Sequence, residues 1–441
     1  MPPPSQAGQG VHAMRHTDSF SIQNSAFWKT QLLHWAAEHT IYMCLDNNAQ
    51  QRSSGDSPWN MLLGVGAAKT LELPAGTAFE SLKRLQEAEQ DWLFGGFGYD
   101  LKNEVEALNS RNLDGVMFPD LVFFQPETVV ILRDSLLEIQ TRNLSPTAVF
   151  DAIQAAQRPT QKANTAAPNL LPRISKAKYL ETVEAIRQHI IEGDLYEMNL
   201  CQEFYAENAS IDPLSVWKRL NNLSKAPLAA FFRWHDRYLL SASPERFLKK
   251  EGQKLISQPI KGTRKRLPGN DEAMRAELAA SEKDRAENVM IVDLVRNDLA
   301  RSCKPGTVIV EELFGIHTFE TVHQMISTVS GELLPRLNAI DALRYAFPPG
   351  SMTGAPKVMA MELIEQYEYS RRGLYAGALG YFEPAGNFDF NVLIRSILYN
   401  ESRKYISFQV GGAIVYDSIP EEEYEECLVK ASALFAALAQ N

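Results

Sequence analysis

Two acidic turns and one basic strand-end concentrate the side chains of this chain that could do chemistry. Glu245 lies in SPERF (243–247) beside Pro244, and Lys261 lies in PIKGTRKR (259–266) beside Gly262. Side chains that adjoin chain-bending residues suit groups aimed into a cleft from strand ends. Asp284 and Glu287, in KDRAENVMIVDLVRNDLAR (283–301), sit three apart and so share one helix face, as do Glu423 and Glu426 in EEEYEE (421–426). On isolated helices such first-turn acids serve the helix dipole. Brought together with few basic partners, they suit a hard, oxygen-seeking cation such as Mg²⁺, held partly by water and partly by substrate oxygens. The KGTRKR run is suited to an anionic ligand.

The elements that must position these groups are legible from pattern. Ser281 opens a capping box (S-x-x-D) for a helix expected to bury Val289, Val292, Val295 and Leu299. Another helix runs from Ser175 to Gly193, with Leu180, Val183, Ile186 and Ile190 at helical spacing. The last begins near Pro420. There Glu423, Glu426 and Lys430 fall on one face, and Tyr424, Leu428, Ala431 and Phe435 on another. MFPDLVFF (117–124), TVVIL (128–132), APLAAFFRW (226–234) and YLLSAS (238–243) read as strands. GGFGYD (95–100), a Gly-rich stretch beside aromatics, reads either as a tight turn in a sheet or as a functional segment. QRPTQKANTAAPNLLP (157–172) reads as a linker or surface excursion. Residues 1–22 read as a disordered extension, 23–156 as an N-terminal region and 173–441 as a second region that holds the acidic and basic motifs above.

Composition narrows the class. The 441 residues are 45% hydrophobic and 22% charged, which supports a large core. A formal net charge of -10 with no long basic stripe disfavours nucleic acid or an anionic membrane as partner. Cys44, Cys201, Cys303 and Cys427 are scattered, without metal-ligand spacing, as expected of reduced thiols in the cytoplasm. No apolar run approaches the roughly 18 residues of a membrane span. None of the cysteines sits in a G-x-C-x-G elbow, so no built-in glutaminase nucleophile is expected. FPPGSMTGAPK (347–357) is not a phosphate loop, because its glycine and lysine have the wrong spacing and no Ser or Thr follows the lysine.

SPERF, PIKGTR and KDRAEN-x-M-x-VDL-x-RND, in this order, resemble the chorismate-utilising enzymes. The same holds for FETVHQMISTVSG (319–331, compared with V-x-H-x-x-S), FPPGSMTGAPK, RRGLYAGALGY (371–381), DFNVLIRS (389–396) and QVGGAIVYDS (409–418). GDLYEMNLCQEFY (193–205) is similar to the GD-x-Y-Q-V-N-L-x-Q segment, with Glu197 where the amidating members usually have Gln and the isochorismate and salicylate synthases have a lysine. Ala413 stands where a third glycine is common. Within the superfamily, anthranilate synthases usually carry PIAGT, whereas PIKGT, as here, points to the aminodeoxychorismate synthases.

The resemblance implies an α+β fold, two packed β-sheets flanked by helices in one large body with a central cleft. It implies chorismate and ammonia as substrates, Mg²⁺ as cofactor, and a separate glutamine amidotransferase subunit as ammonia source. By motif match, Glu245 is the general acid and must hold a proton near neutral pH. Lys261 is the nucleophile, which must be neutral, a state that desolvation or the nearby Arg264 would favour. His323 is the matching histidine. Glu287, Glu423 and Glu426 are the metal glutamates, with Asp284 nearby. Tyr375, Arg395, the backbone at Gly411 and Gly412, Lys430, Thr263, Ser351 and Thr353 bind substrate. An anthranilate synthase component, and a non-catalytic protein binding chorismate or tryptophan, are the alternatives.

Overall fold

The structure, a computed structural model, describes residues 15–49, 58–157, 167–267 and 269–439. Among these residues a twelve-stranded and a ten-stranded sheet, both antiparallel, pack face to face. Alternation along the strands builds two layers of core. Met43, Leu62, Ile131, Phe232 and Leu398 of one sheet meet Phe94, Phe124, Leu379 and Tyr381 of the other between the sheets. Their sequence neighbours, such as Cys44, Leu63, Val130, Phe231 and Ile397, face outward and pack in the core that the surrounding helices share. The α+β architecture expected of the chain is the one observed.

Both halves of the sequence supply strands to both sheets. Ile41–Asp46 pairs with Leu228–Trp234 in the larger sheet, and Leu93–Phe97 pairs with Ala378–Phe382 in the smaller. The regions 23–156 and 173–441 therefore share one body rather than forming two. Two boundaries need correction. His16–Ser21, assigned to the disordered extension, is a strand in register with Leu136–Thr141, anchored by Arg15 Nε on Asp91 Oδ1 at 2.7 Å; residues 1–14 lie outside the described residues. The linker's central part, 158–166, also lies outside them, and its end, Leu171–Pro172, pairs with Phe204 and Tyr205.

Local readings fare unevenly. Ser175 and Gly193 (φ 88°) cap the helix Lys176–Glu192, and Ser281 caps Glu282–Ala300 through the Asp284 amide. Val289 is exposed, however, while Asn288 and Asp298 are buried on that helix in its place. GGFGYD is not a tight turn. Gly95 and Gly96 are strand residues, and a Cβ at Gly95 would lie 2.1 Å from the Val122 carbonyl oxygen of the neighbouring strand. Of the expected strand at 117–124 only 121–124 is in a strand, Leu121–Gln125, and Met117 has φ 58°.

Candidate active site

Lys261 projects from the edge strand Ile260–Lys265 at a bulge. Its pairing with Val322–Glu332 shifts register between Ile260 and Thr263, where Gly262 takes φ 87°. The bulge turns Lys261 out of the ladder, and Nζ reaches Glu197 Oε1 at 2.8 Å, with Glu287 Oε2 at 3.9 Å. Burial alone would lower the amine's pKa, but Glu197, then Glu287 and Glu245, outweigh it, and the net shift is upward. The ligand-free amine is thus an ammonium. The expected help from Arg264 is absent: its guanidinium is bound to Glu277 at 2.7 Å and Asp284 at 3.0 Å.

Glu287 is carried by the helix Glu282–Ala300, while Glu423 and Glu426 are carried by the helix Pro420–Leu438. The latter packs on the strand Tyr405–Ile414, whose Gly412 leaves room for them. A Cβ there would lie 3.2 Å from Glu423 Oε2 and 3.6 Å from both Glu426 Oε1 and Lys430 Nζ. Ser418 Oγ donates to Glu423 Oε1 at 2.7 Å, and Lys430 Nζ donates to Glu426 Oε1 at 2.6 Å and to the Gly411 carbonyl at 2.9 Å. Burial raises the Glu287 and Glu423 carboxyls. Burial also presses upward on Glu426, but Lys430 outweighs it and holds that carboxyl low. Lys283 acts on all three acids. It went unnoticed in the sequence, although it lies four residues before Glu287 on the same helix.

These three carboxylates form an all-oxygen donor set that suits a hard divalent cation. Their oxygens are not drawn into a tight cage. Among the described residues, the one group whose ligand atoms lie within 4.8 Å of one another is His189, Glu192 and Asp194. Oxygens bound directly to one Mg²⁺ lie within about 4.2 Å of one another, so these carboxylates would have to draw in or reach the ion through some of the waters it keeps. Asp284 is turned away from the three, packed against Gly262 and paired with Arg264.

Glu245 is buried where Ser243–Phe247 links two strands, its amide donating to Ser243 Oγ at 3.3 Å and its carbonyl accepting from the Val392 amide at 3.0 Å. With Pro259, Asp298, Gly350 and Ser351 it lines a cavity of about 20 Å³, room for roughly one water. The Ser351 hydroxyl is buried with no partner among the described residues. Thr353 is fully buried, its hydroxyl donating to the Gly350 carbonyl and its own carbonyl accepting from the Asn199 amide.

Arg395 has a left-handed backbone (φ 52°), as does Ala376 (φ 61°) directly after Tyr375, and residues held for a site often have such backbone. Arg395 Nη1 donates to the Lys430 carbonyl at 3.3 Å, and burial lowers its pKa, countered in part by Tyr375 and Glu426. The Tyr375 hydroxyl lies 3.5 Å from Cys201 Sγ. Behind it, the buried Arg372 donates to Glu368, to the Asn199 carbonyl and to the Met352 carbonyl. Arg372 thereby ties the strand Glu197–Ala206 to the 350–353 turn.

Two expected residues fall outside this group. The His323 ring is fully buried, with Nδ1 3.0 Å from Thr318 Oγ1 and Nε2 3.4 Å from Asp271 Oδ1. Counting V-x-H-x-x-S from Val322 to Ser327 places Gln324, not His323, in the histidine position, so the match was one residue out of step. In the strand the two point to opposite faces. Gln324 stands opposite Thr263, and His323 opposite Arg264. Thr263 itself is exposed at the sheet edge.

Comparison with known proteins identifies the family. A family model described as chorismate binding enzyme matches residues 32–436. Aminodeoxychorismate synthase component 1 of Salmonella typhimurium is 37% identical over 376 residues, spanning 82% of this chain and 81% of that protein. Aminodeoxychorismate synthase of Streptomyces pristinaespiralis is 46% identical over 271 residues, 61% of this chain but only 37% of that longer protein. Anthranilate synthase component I of Streptococcus pneumoniae superposes with a TM-score of 0.71 at 24% identity, covering 98% of this chain and 94% of that one, a likeness of fold. With the family model spanning nearly the whole described body and the acidic cluster lying inside it, the chain belongs to the chorismate binding enzymes.

Proposed function

We propose that this chain aminates chorismate at carbon 4, giving 4-amino-4-deoxychorismate, as the names of its relatives suggest. The observation that carries the reading is Lys261: a buried amine among Glu197, Glu287 and Glu245, on the strand where the aminating chemistry needs a nucleophile. Ring hydroxide is a poor leaving group. Glu245 protonates it as it departs, so that water leaves. Nζ first gives its ammonium proton to solvent, and then, as the free amine, bonds to carbon 2 while the C4–O bond breaks and the two ring double bonds shift. Ammonia then adds at carbon 4, the double bonds shift back, and the C2–N bond to Lys261 breaks without loss of pyruvate.

Glu287, Glu423 and Glu426 would hold Mg²⁺, which supplies charge neutralisation at one substrate carboxylate. Asp284 stays behind them with Arg264. Lys430 stands at the same end. Arg395, Tyr375 and the amides at Gly411 and Gly412 receive the other carboxylate, for which a guanidinium fork is well shaped. Ser351, whose hydroxyl has no partner among the described residues, and Thr353 line the wall, and no role is assigned to Thr263. No role is assigned to His323. Ammonia at neutral pH is mostly ammonium, so the reading includes a glutamine amidotransferase partner in the cytoplasm that delivers it under cover. No helix among the described residues is long and apolar enough to cross a membrane.

The test is a product assay with chorismate, Mg²⁺ and ammonium at alkaline pH, with and without an aminodeoxychorismate lyase. The expected result is 4-aminobenzoate only when lyase is present. Anthranilate formed without lyase would overturn the reading.

A further inference from the structure

We infer that Glu197 is the positioning residue for Lys261, aiming Nζ at the ring through an acceptor oxygen. This rests on the reading of Lys261 as nucleophile. Lysine is a compact charge on a flexible four-carbon stem, so an attacking Nζ has to be held to avoid spreading over many rotamers. The sheet does not hold it. Lys261 stands in the register break between Ile260 and Thr263, followed by a glycine at φ 87°, so no opposing residue pairs with it. Its Nζ lies 2.8 Å from Glu197 Oε1 and 3.9 Å from Glu287 Oε2, while Glu245, the proposed acid, acts on it from farther off. Glu287 belongs to the proposed cation set, and a bound cation would turn it from the amine. Glu197 would then be the remaining hold.

Glu197 is well built for this. It begins the strand Glu197–Ala206, where it is paired with Ala355 and its neighbour Met198 with both Ile414 and Gly354. A Cβ at Gly354 would lie 2.1 Å from the Glu197 carbonyl oxygen, so the two backbones touch. The adjacent Tyr196 amide donates to the Ala355 carbonyl at 2.7 Å, and two residues on Asn199 is held by Arg372 and Thr353. The backbone that carries this carboxylate is thus fixed on both sides, whereas the backbone at Lys261 lies in a register break. What the amine needs from position 197 is an oxygen at that point in space, which glutamine also presents.

The experiment compares Glu197→Ala and Glu197→Gln with the full-length wild-type protein. Denaturing mass spectrometry, with chorismate and Mg²⁺ but no ammonia, reads the chorismate-minus-water adduct on Lys261, and the ammonium assay reads 4-amino-4-deoxychorismate. In Glu197→Ala, adduct formation and kcat should each fall about 100-fold, the scale of a misplacement of about 1 Å. Its chorismate KM should change little, and Glu197→Gln should recover most of the loss. Wild-type adduct formation in Glu197→Ala would overturn the proposal, as would a Glu197→Gln variant as impaired as Glu197→Ala. Lys261→Ala separates the two layers. Undiminished carbon 4 product from that variant refutes the nucleophile reading itself, whereas a wild-type adduct that persists in Glu197→Ala refutes only the positioning.

Discussion

Lys430 and Glu426 stand one helical turn apart with Nζ and Oε1 at 2.6 Å, and the same ammonium is bonded to the Gly411 carbonyl. The lysine therefore fixes the acidic helix to the glycine strand and keeps one carboxylate of the cluster ionised, while burial pushes its two companions, Glu287 and Glu423, the other way.

That asymmetry sets a pH dependence. Because the Glu287 and Glu423 carboxyls are raised, they take up protons at a pH where a free glutamate, near about 4.3, stays ionised. Cation binding requires the deprotonated forms. Mg²⁺ affinity measured by calorimetry should therefore weaken as pH falls from about 8 toward about 5, with proton release on binding at the lower end. An affinity flat across that range would contradict the raised carboxyls.

Removing the acid should act on rate rather than binding. In Glu245→Gln, kcat is expected to drop by about 10² to 10⁴, the usual worth of a positioned acid. Chorismate binding, followed by calorimetry, should remain within a few-fold. A variant that loses binding instead would place Glu245 among the substrate contacts.

Gly262 offers a stability test with a built-in control. A Cβ there would lie 2.9 Å from both Asp284 Cγ and Leu278 Cδ1, at φ 87°. At Gly193, with φ 88°, a Cβ meets nothing within 4 Å. Both alanine variants carry the left-handed backbone cost of about 1 kcal/mol, and only Gly262→Ala adds the clash, for a total of roughly 2–3 kcal/mol in urea melts. Equal losses would mean that the Asp284 side of the bulge yields freely.

Glu368 and Arg372 form a fully buried pair at 2.6 Å. Glu368→Ala strands the guanidinium, and chemical denaturation should report a loss of about 3–5 kcal/mol. Since Arg372 also holds the Asn199 and Met352 carbonyls, substrate affinity should fall with it. A variant of unchanged stability would mean that Arg372 finds another partner.

Much of this was legible in the sequence where one residue type has a single structural use. Ser175, Gly193 and Ser281 marked helix ends because their caps are local. Branched and aromatic runs marked the strands Thr128–Arg133 and Leu228–Trp234 for the same reason. The acids were legible as pairs on helix faces, whereas Gly411 and Gly412 were singled out only by the resemblance and lie within the strand Tyr405–Ile414. What escaped is what only tertiary contact decides. The charge state of Lys261 depends on Glu197, 64 residues away, and Arg264 is drawn off by Asp284 and Glu277. Gly95 and Gly96 looked like a turn because glycine serves turns and tightly apposed strands alike. His323 was misread by one position, and in a strand one position is the difference between two faces.

The way the two halves interlace has a consequence for descent. With Ile41–Asp46 bonded to Leu228–Trp234 and Leu93–Phe97 bonded to Ala378–Phe382, neither half closes a sheet by itself. Recombination within this body would leave two raw strand edges to find foreign partners in register. A crossover between the halves therefore has to preserve both strand pairs at once.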